Sequence, residues 1–248
     1  MKLALLTLSI LFLSTRLFAQ KIEISLQANS GLFHYAGNAT ASTSFINSAD
    51  GSPLQGTINN PYGNKNGFGY GGDVQAQYVS KGGFIAGLQG GYDVLRSIVD
   101  INGVYPPFFL FGPAEELATP AKGQIALQNQ NFNINPYLGY RLNLKKIKID
   151  FMPGIDVSFN VNSYDKGTVT TTDGMVYKVD NKMPKSPTDV RLRLGIAATL
   201  NRFGLTAGYA YGLTNFASNL DVNASGTSTP APNAHSELIR FGISYRIF

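Results

Sequence analysis

The sequence predicts an eight-stranded antiparallel up-and-down β-barrel that crosses a membrane, with long loops at one end and short turns at the other. Three observations predict it. Apolar and polar residues alternate along eight separate segments, aromatic residues recur at a fixed spacing on the apolar faces, and the connections alternate between short and long. The composition agrees, because charged residues make up only 14% of the chain, against roughly 25% in soluble globular domains.

The composition excludes several other classes of protein. The chain has no cysteine, which excludes a disulfide-stapled scaffold, and its 44% of apolar residues argue against a disordered chain. After the first 19 residues there is no run of about 18 apolar residues, so a membrane protein built from helices is not predicted. The formal charge of +5 is spread without a Lys/Arg cluster, so we expect no nucleic-acid partner.

The N-terminus has the three parts of a secretory signal peptide. Lys2 supplies the positive start, residues 3–13 form the apolar centre, and a small-residue cleavage site ends at Ala19. We therefore expect residues 1–19 to be a signal peptide and residues 20–248 to form a single outer-membrane barrel domain. Removal of the signal takes away two positive residues and lowers the formal charge from +5 to +3.

Each of the eight segments alternates with the period of a β-strand. In the first, Ile22, Ile24 and Leu26 alternate with Glu23 and Ser25. Eight is an even number, so an antiparallel ring can close with both termini at the short-turn end, which we expect to be periplasmic. The segments cover residues 21–34, 67–79, 83–96, 128–144, 146–162, 190–199, 203–214 and 238–248.

The polar faces of these segments carry acids and bases together. In a soluble β-sandwich they would face water, whereas an eight-stranded barrel has an interior only wide enough to be filled by side chains. Opposite charges must then pair, so we expect a filled lumen with little or no conductance. The residues are Lys21, Glu23, Asp73, Asp93, Arg141, Lys148, Asp150, Asp156, Arg191, Arg193, Arg240 and Arg246.

The aromatic residues of the apolar faces decide between a sandwich and a membrane barrel. They form pairs spaced eight residues apart, which on tilted strands separates the partners by roughly 20 Å along the membrane normal. This spacing matches the two aromatic girdles of membrane barrels. Counting from the turns, we expect Tyr78 opposite Phe84 and Tyr70 opposite Tyr92. The pairs are Tyr70/Tyr78, Phe84/Tyr92, Phe132/Tyr140, Phe151/Phe159 and Phe203/Tyr211.

The connections alternate between tight turns and long polar loops. The turns fall at 81–82, 144–146 and 201–202, and the loops at about 36–66, 97–127, 163–188 and 215–236. An apolar cluster at 104–111 in the second loop either folds across the barrel mouth or docks on a partner or lipopolysaccharide. The third loop resembles a solvated hairpin extension, and no ligand spacing supports calcium binding there. Its charged residues are Asp165, Lys166, Asp173, Lys178, Asp180, Lys182 and Lys185.

Several motifs carry a resemblance to a known family. They are the signal ending Phe18-Ala19-Gln20, the strand from Asn135 to Arg141, the tripeptide Ala207-Gly208-Tyr209 and a last strand ending in Phe248. On these residues the mature chain resembles the small outer-membrane β-barrel proteins of Gram-negative bacteria, of the OmpA-like and PorT-like eight-stranded type. The resemblance implies an outer-membrane location and a C-terminal strand that the barrel-assembly machinery recognises.

Two features depart from a regular barrel strand. The family pattern places an aromatic residue two positions before the terminal one, but here Tyr245 lies three before Phe248 and Arg246 occupies that position. Either the strand bulges near its end or Phe248 points inward. Pro136 and Pro153 lie inside predicted strands at nearly the same height, so we expect a local bulge at that height.

Residues with catalytic or metal-binding chemistry are few. The two histidines, His34 and His235, lie at the long-loop ends of the first and last strands, with Glu237 nearby. A metal site there is conceivable, but alternation turns both imidazoles outward and no third ligand is evident. The run 67–72 is rich in glycine, yet it lies within a strand rather than before a helix and does not predict a phosphate site. We assign no catalytic, cofactor-binding or metal-binding residue.

These observations favour a structural or interaction protein over an enzyme. We expect contacts with outer-membrane lipid and lipopolysaccharide, with the barrel-assembly machinery, and with a protein partner at the loops. A small-solute channel and a subunit of a secretion or envelope complex stay open as alternatives. A lipid-modifying barrel enzyme is the weakest alternative, because no motif supplies His34 or His235 with a catalytic partner.

Overall fold

The computed structural model describes residues 21–48, 55–105, 118–218 and 231–248, and within them the chain forms eleven strands. The signal sequence lies outside these residues. In the described residues no helix has the length and apolar character needed to cross a membrane. The strands are β1 (Lys21–Ala36), β2 (Thr43–Ser48), β3 (Gly56–Ile58), β4 (Lys65–Val79), β5 (Phe84–Tyr105), β6 (Thr119–Leu144), β7 (Ile147–Thr171), β8 (Val176–Met183), β9 (Asp189–Leu200), β10 (Phe203–Gly212) and β11 (His235–Arg246).

Eight of these strands close into a ring. Going round it, the order is β1, β4, β5, β6, β7, β9, β10 and β11, and every neighbouring pair is antiparallel. The first and last strands close the ring, with Ser25 opposite Arg246 and Ala36 opposite His235. The predicted eight-stranded up-and-down barrel is therefore confirmed, with both ends of the described chain at the short-turn end.

The wall of the barrel is apolar outside and polar inside. Outward-facing residues such as Ile22, Phe132 and Leu194 are about 60% exposed, whereas inward-facing Glu23 and Asp156 are at most 1% exposed. A water-soluble barrel would have the opposite arrangement, so the ring is a transmembrane barrel whose outer wall faces lipid.

Two rows of aromatic side chains mark the edges of the apolar wall. The row near the short turns, the lower girdle, is Phe84 opposite Tyr140 opposite Phe151. The row eight residues away on each strand, the upper girdle, is Tyr92 opposite Phe132 opposite Phe159. The rings of Tyr92 and Phe132 meet edge to face with centroids 5.3 Å apart. The predicted eight-residue spacing therefore produces two girdles.

The expected pairing between β4 and β5 is wrong by two residues. Tyr78 lies opposite Ala86 and Tyr70 opposite Val94. The turn accounts for one of these two residues, because it contains three residues, 81–83, instead of two, and a two-residue turn would put Tyr78 opposite Ile85. The N–H of Ser80 donates to the carbonyl of Phe84, and Gly83 has φ 88°. A three-residue hairpin with a left-handed glycine at its last position shifts the register in this way.

The two strand prolines do not cause the bulge that we expected. Ile134 pairs with Val157 and Tyr140 with Phe151 in one continuous register, so no residue is inserted at the height of Pro136 and Pro153. The register between β6 and β7 shifts further up instead, between Gln130 and Asn131.

The C-terminal strand does bulge near its end. The N–H groups of Ile247 and Phe248 both donate to the carbonyl of Ile24, at 2.8 and 3.5 Å. Two residues facing one define a bulge. It leaves Phe248 73% exposed rather than pointing into the lumen, which confirms the first of the two alternatives for this strand.

At the long-loop end a second, smaller structure stands on the barrel. It consists of residues 43–48, 55–58, 97–105, 119–127, 163–171 and 176–183, which we call the head. The prediction that 97–127 is a loop is wrong for 97–105 and 119–127, which continue β5 and β6. The predicted hairpin extension in the third loop is confirmed by the pairing of β7 with β8.

The head is also ring-like. Strand β2 pairs in parallel with β5, β3 pairs with β2, and a bridge from Gln55 to Lys178 connects the start of β3 to β8. The side-chain amide of Asn181 donates to the carbonyl of Gly56 at 2.7 Å across the same junction. Each of the six strands adds at least one residue to a buried apolar core, which contains Ile46, Ile58, Val99, Ile101, Val104, Ala121, Ile125, Val169 and Val179.

Candidate functional site

The lower part of the lumen is held by an ionic cluster around Arg141. Its guanidinium donates to both carboxylate oxygens of Glu23, at 3.0 and 2.8 Å, and to both oxygens of Asp150, at 2.6 Å each. Arg246 adds a second contact to Glu23 at 2.7 Å. Since Arg141, Glu23 and Asp150 are at most 4% exposed, these paired groups cross-link β1, β6, β7 and β11 in the interior of the barrel.

A second ionic cluster occupies the middle of the lumen. Arg240 contacts Asp73 at 3.5 Å and also pairs with Asp93. Amide groups also contact both acids, because Gln89 donates to Asp73 at 2.7 Å and Asn133 donates to Asp93 at 2.6 Å.

Next to this cluster, Arg191 joins Asp156 at 3.1 Å and Asp189 at 2.7 Å. The predicted pairing of lumen acids and bases is therefore found in both clusters.

Little space is left between these side chains. One void beside Asn29 and Arg240, and another beside Asn131 and Arg191, measure about 10 Å³ each. A water molecule needs at least about that volume together with polar partners. The described part of the lumen is thus filled by side chains.

An apolar layer covers the polar lumen at the long-loop end. Tyr35 is at its centre, with the rings of Phe33, Tyr62 and Phe216 each 5.1 Å away in edge-to-face contact. The hydroxyl of Tyr35 accepts a hydrogen bond from Asn129 at 2.8 Å. Leu95, Leu127 and Leu238 pack around these rings. We call this group the mouth layer, and it separates the lumen from the head.

The apolar segment 104–111 is only partly within the described residues. Val104 and Tyr105 are buried in the head, where Tyr105 packs on Phe45 with ring centroids 4.5 Å apart. Residues 106–111 lie outside the described residues, so the two expectations for this cluster both stay predictions.

The structure brings the two histidines together at the rim. Nε2 of His34 lies 3.8 Å from Glu237, and Nε2 of His235 lies 3.6 Å from the other oxygen of the same carboxylate. Glu237 also accepts a hydrogen bond from the hydroxyl of Tyr209 at 3.0 Å, and Nδ1 of His34 contacts Asn66 at 2.9 Å. In the described residues no group of three or more His, Cys, Asp or Glu side chains is arranged to hold a metal ion.

The outer surface of the head is mostly polar, although Val176 is half exposed. Just above the upper girdle, Arg96, Gln128, Tyr164 and Lys182 lie side by side on β5, β6, β7 and β8. Arg96 lies over the ring of Tyr70, 5.3 Å from its centroid. Four residues separate Arg96 from Tyr92, so this row stands roughly 10 Å above the girdle. We call it the rim row.

Asp165 differs from the other charged residues of the third loop. The sequence indicates a solvated acid, but the side chain is 1% exposed, and neither carboxylate oxygen has a hydrogen-bond partner. Burial raises the pKa of Asp165 to about 7. Lys166 and Asp180, by contrast, form an exposed pair at 3.9 Å. The reason is the bulge on β7 opposite Gln130 and Asn131, which turns the odd-numbered residues of upper β7 inward.

No family model matches the chain, and no curated protein matches it. Among solved structures the chain is similar to Ail, the attachment invasion locus protein of Yersinia pestis, which was crystallised with the heparin analogue sucrose octasulfate. The identity is 12% over 92% of this chain and 99% of that chain, and the TM-score is 0.33. The chain is similar to Neisserial surface protein A at 13% identity, over 90% and 96% of the two chains, with a TM-score of 0.35. A major outer membrane protein from Thermus thermophilus gives 13% identity, 92% and 100% coverage, and a TM-score of 0.38. At these identities and scores the similarities assign no family.

Proposed function

We propose that the protein is an outer-membrane barrel that acts as a non-enzymatic interaction protein, presenting its head outside the cell. The observation that carries the proposal is the division of the molecule into a filled transmembrane barrel and a separately cored head with a mostly polar outer surface. A filled lumen argues against a small-solute channel. The head, by contrast, offers a rigid surface to a partner, because its strands continue those of the barrel.

The same division supports an orientation in the membrane. We infer that the signal sequence at 1–19 directs export, that both termini of residues 20–248 are periplasmic, and that the outward-facing Phe248 presents the last strand to the barrel-assembly machinery. The absence of cysteine from the chain makes this testable. A cysteine at Thr170, on the head, should react with a membrane-impermeant maleimide on intact cells. One at Lys81, in a short turn, should react only after lysis. The reverse pattern would overturn the orientation.

Lipopolysaccharide contact fits the rim row. Arg96 and Lys182 stand at the height of lipid head groups above the upper girdle, with amide and phenol groups between them. We propose that this row contacts the phosphates and sugars of outer-leaflet lipid, so that only the upper part of the head is free for a protein partner.

The experiment that tests the interaction role uses photo-cross-linking in native cells. A photoreactive residue at Thr168 or Thr170, both exposed on the head, should give one recurrent protein adduct. The matched control is Leu138, which is 59% exposed on the lipid-facing wall and should give lipid adducts only. Adducts of equal yield and identity at head and wall positions would contradict the proposal. A recurrent adduct that co-purifies with the protein would identify a subunit of an envelope complex.

A further inference from the structure

A groove of about 620 Å³ lies in the lipid-facing wall near the short-turn end. It runs across β1, β11, β10 and β9 and reaches the first residue of β7. Its volume is in the range of small-ligand sites. Because it faces the hydrocarbon of the membrane rather than water, the occupant has to be apolar over most of its length.

The sizes of the outward-facing side chains shape this groove. One row across the wall contains only large residues, and each of them pairs with the next. From β1 to β7 they are Leu26, Tyr245, Phe203, Leu200 and Ile147. In the next row toward the head, alanines on β1 and β9 flank two large residues. From β1 to β9 this row contains Ala28, Ile243, Leu205 and Ala198. The two alanines leave space between large neighbours. Phe203 and Tyr245, with ring centroids 5.2 Å apart, form its edge toward the short turns.

Positive charge is concentrated where the groove reaches the membrane surface. Arg202 lies in the turn between Leu200 and Phe203, and its guanidinium donates to the hydroxyl of Tyr245 at 3.5 Å, which places it at the groove edge. Lys145 and Lys146 are exposed in the neighbouring turn, directly before Ile147. Among the described residues none of these three cations is paired with a carboxylate, unlike Arg246, which is held by Glu23.

We propose that this groove is a binding site for one glycerophospholipid of the leaflet at the short-turn end. An acyl chain occupies the apolar groove, and the phosphate lies on Arg202 with Lys145 and Lys146 around it. An apolar groove that ends at unpaired cations is complementary to a hydrocarbon chain that ends at an anion. The site concerns the opposite end of the molecule from the head and does not depend on the interaction role proposed above.

The test measures phospholipid that stays bound after purification of the full chain in a mild detergent, by native mass spectrometry. The wild-type protein should retain one phospholipid per chain. The double variant Arg202→Gln with Lys146→Gln should retain about tenfold less, equivalent to about 1.4 kcal/mol. Ala198→Phe, which fills the groove, should abolish retention.

Two matched variants keep the test specific. Lys81→Gln removes an exposed cation from the turn before β5, and Ala86→Phe enlarges an outward-facing residue two positions from Phe84. Both should retain phospholipid as the wild type does. Heat-modifiable migration on gels should show that all variants fold, and cross-linking from Thr168 should be unchanged in the groove variants, which separates this site from the head.

Three results would overturn the proposal. Equal retention in the wild type and in Ala198→Phe would show that the lipid binds elsewhere on the wall. Retention of lipopolysaccharide in place of phospholipid would show that the proposal names the wrong class of lipid. A dimer mass that Ala198→Phe converts to a monomer would show that a second copy of the chain covers the groove.

Discussion

The barrel lumen and the head core are enclosed by the same strands but have opposite chemistry. Along β6 the inward-facing residues Asn131, Asn133 and Arg141 are buried in the polar lumen, whereas Ile125 and Leu127, on the same side of the same strand, are buried in apolar surroundings. The change occurs at the level of the upper girdle. Where the outer wall faces lipid, the polar residues turn inward; where it faces water, the apolar residues do. The solvent outside the strand therefore decides the kind of core inside it.

The largest effect is expected from breaking the lower ionic cluster of the lumen. Arg141→Met leaves Glu23 and Asp150 without their main partner in the interior, which should destabilise the barrel by about 3–5 kcal/mol. Thermal unfolding followed by heat-modifiable gel migration measures this. Adding Asp150→Asn should recover part of the loss, and Lys81→Met at an exposed turn serves as the control. An unchanged transition in Arg141→Met would mean that ionic pairing does not hold the lumen.

A smaller and more local effect is expected from the head core. Ile125→Ala should cost roughly 2–5 kcal/mol of head stability, because it empties a fully buried position. Hydrogen exchange should show lost protection at 97–105 and 119–127, while the strands between the girdles stay protected. Gln128→Ala, on the outer face of the same strand, is the control. Loss of protection throughout the barrel would show that the head and barrel unfold as one unit.

The pH dependence of the head should depend on Asp165. Its pKa is raised to about 7 by burial, so the folded head binds a proton that the unfolded chain releases at its lower ordinary pKa. The head therefore has its full stability below the pKa that Asp165 has in the unfolded chain, and it loses stability as the pH rises from there to about 7. Asp165→Asn should remove this dependence and stabilise the head at pH 8 by up to about 4 kcal/mol. Thermal unfolding reported by a fluorophore at Thr170 measures it. Asp180→Asn, at an exposed position, should leave the slope intact.

The smallest expected effect is on conductance. The wild-type barrel should show no sugar-sized channel in planar bilayers. Phe33→Ala with Phe216→Ala thins the mouth layer, yet the barrel should stay closed because the ionic clusters fill the lumen below it. A stable open channel in this double variant would assign the seal to the mouth layer instead.

The sequence predicts the barrel because its alternation has one polarity throughout the membrane. All eight ring strands and both girdles are confirmed, as is the pairing of most lumen charges. Arg193 is the exception: among the described residues it is in no ion pair, and its buried Nη1 has no hydrogen-bond partner. The head was missed because the alternation of 119–127 continues with reversed polarity: Ala121 and Ile125 face inward while Lys122 and Gln124 face outward. If a strand is identified by apolar residues on its lipid-facing side, it is predicted to end where this reversal begins. Continued alternation with reversed polarity is the signal that could have found it.

Other parts of the structure depend on register, which composition does not give. The three-residue turn at 81–83 moved Tyr78 away from Phe84, and the bulge beside Asn131 turned Asp165 inward. The groove depends on Ala28 and Ala198, which are 170 positions apart in the chain. The two alanines come into one row only once the four strands β1, β11, β10 and β9 have been placed in register. The rim pair of His34 and His235 was predicted because ring closure alone brings it together.

The parallel pairing of β2 with β5 has a consequence for self-association. Lengthening three strands beyond their neighbours would leave unpaired backbone groups along both sides of the extension, and such edges recruit strands from other molecules. The last β5 residue that pairs with β4 is Ile98, and two residues further on, at Asp100, β5 begins to pair with Thr43 of β2. On the other side of the extension, β8 pairs with β7. Strands β2 and β8 thus cover edges that would otherwise be open, and deleting 43–48 should expose the edge of β5 and increase self-association of the protein.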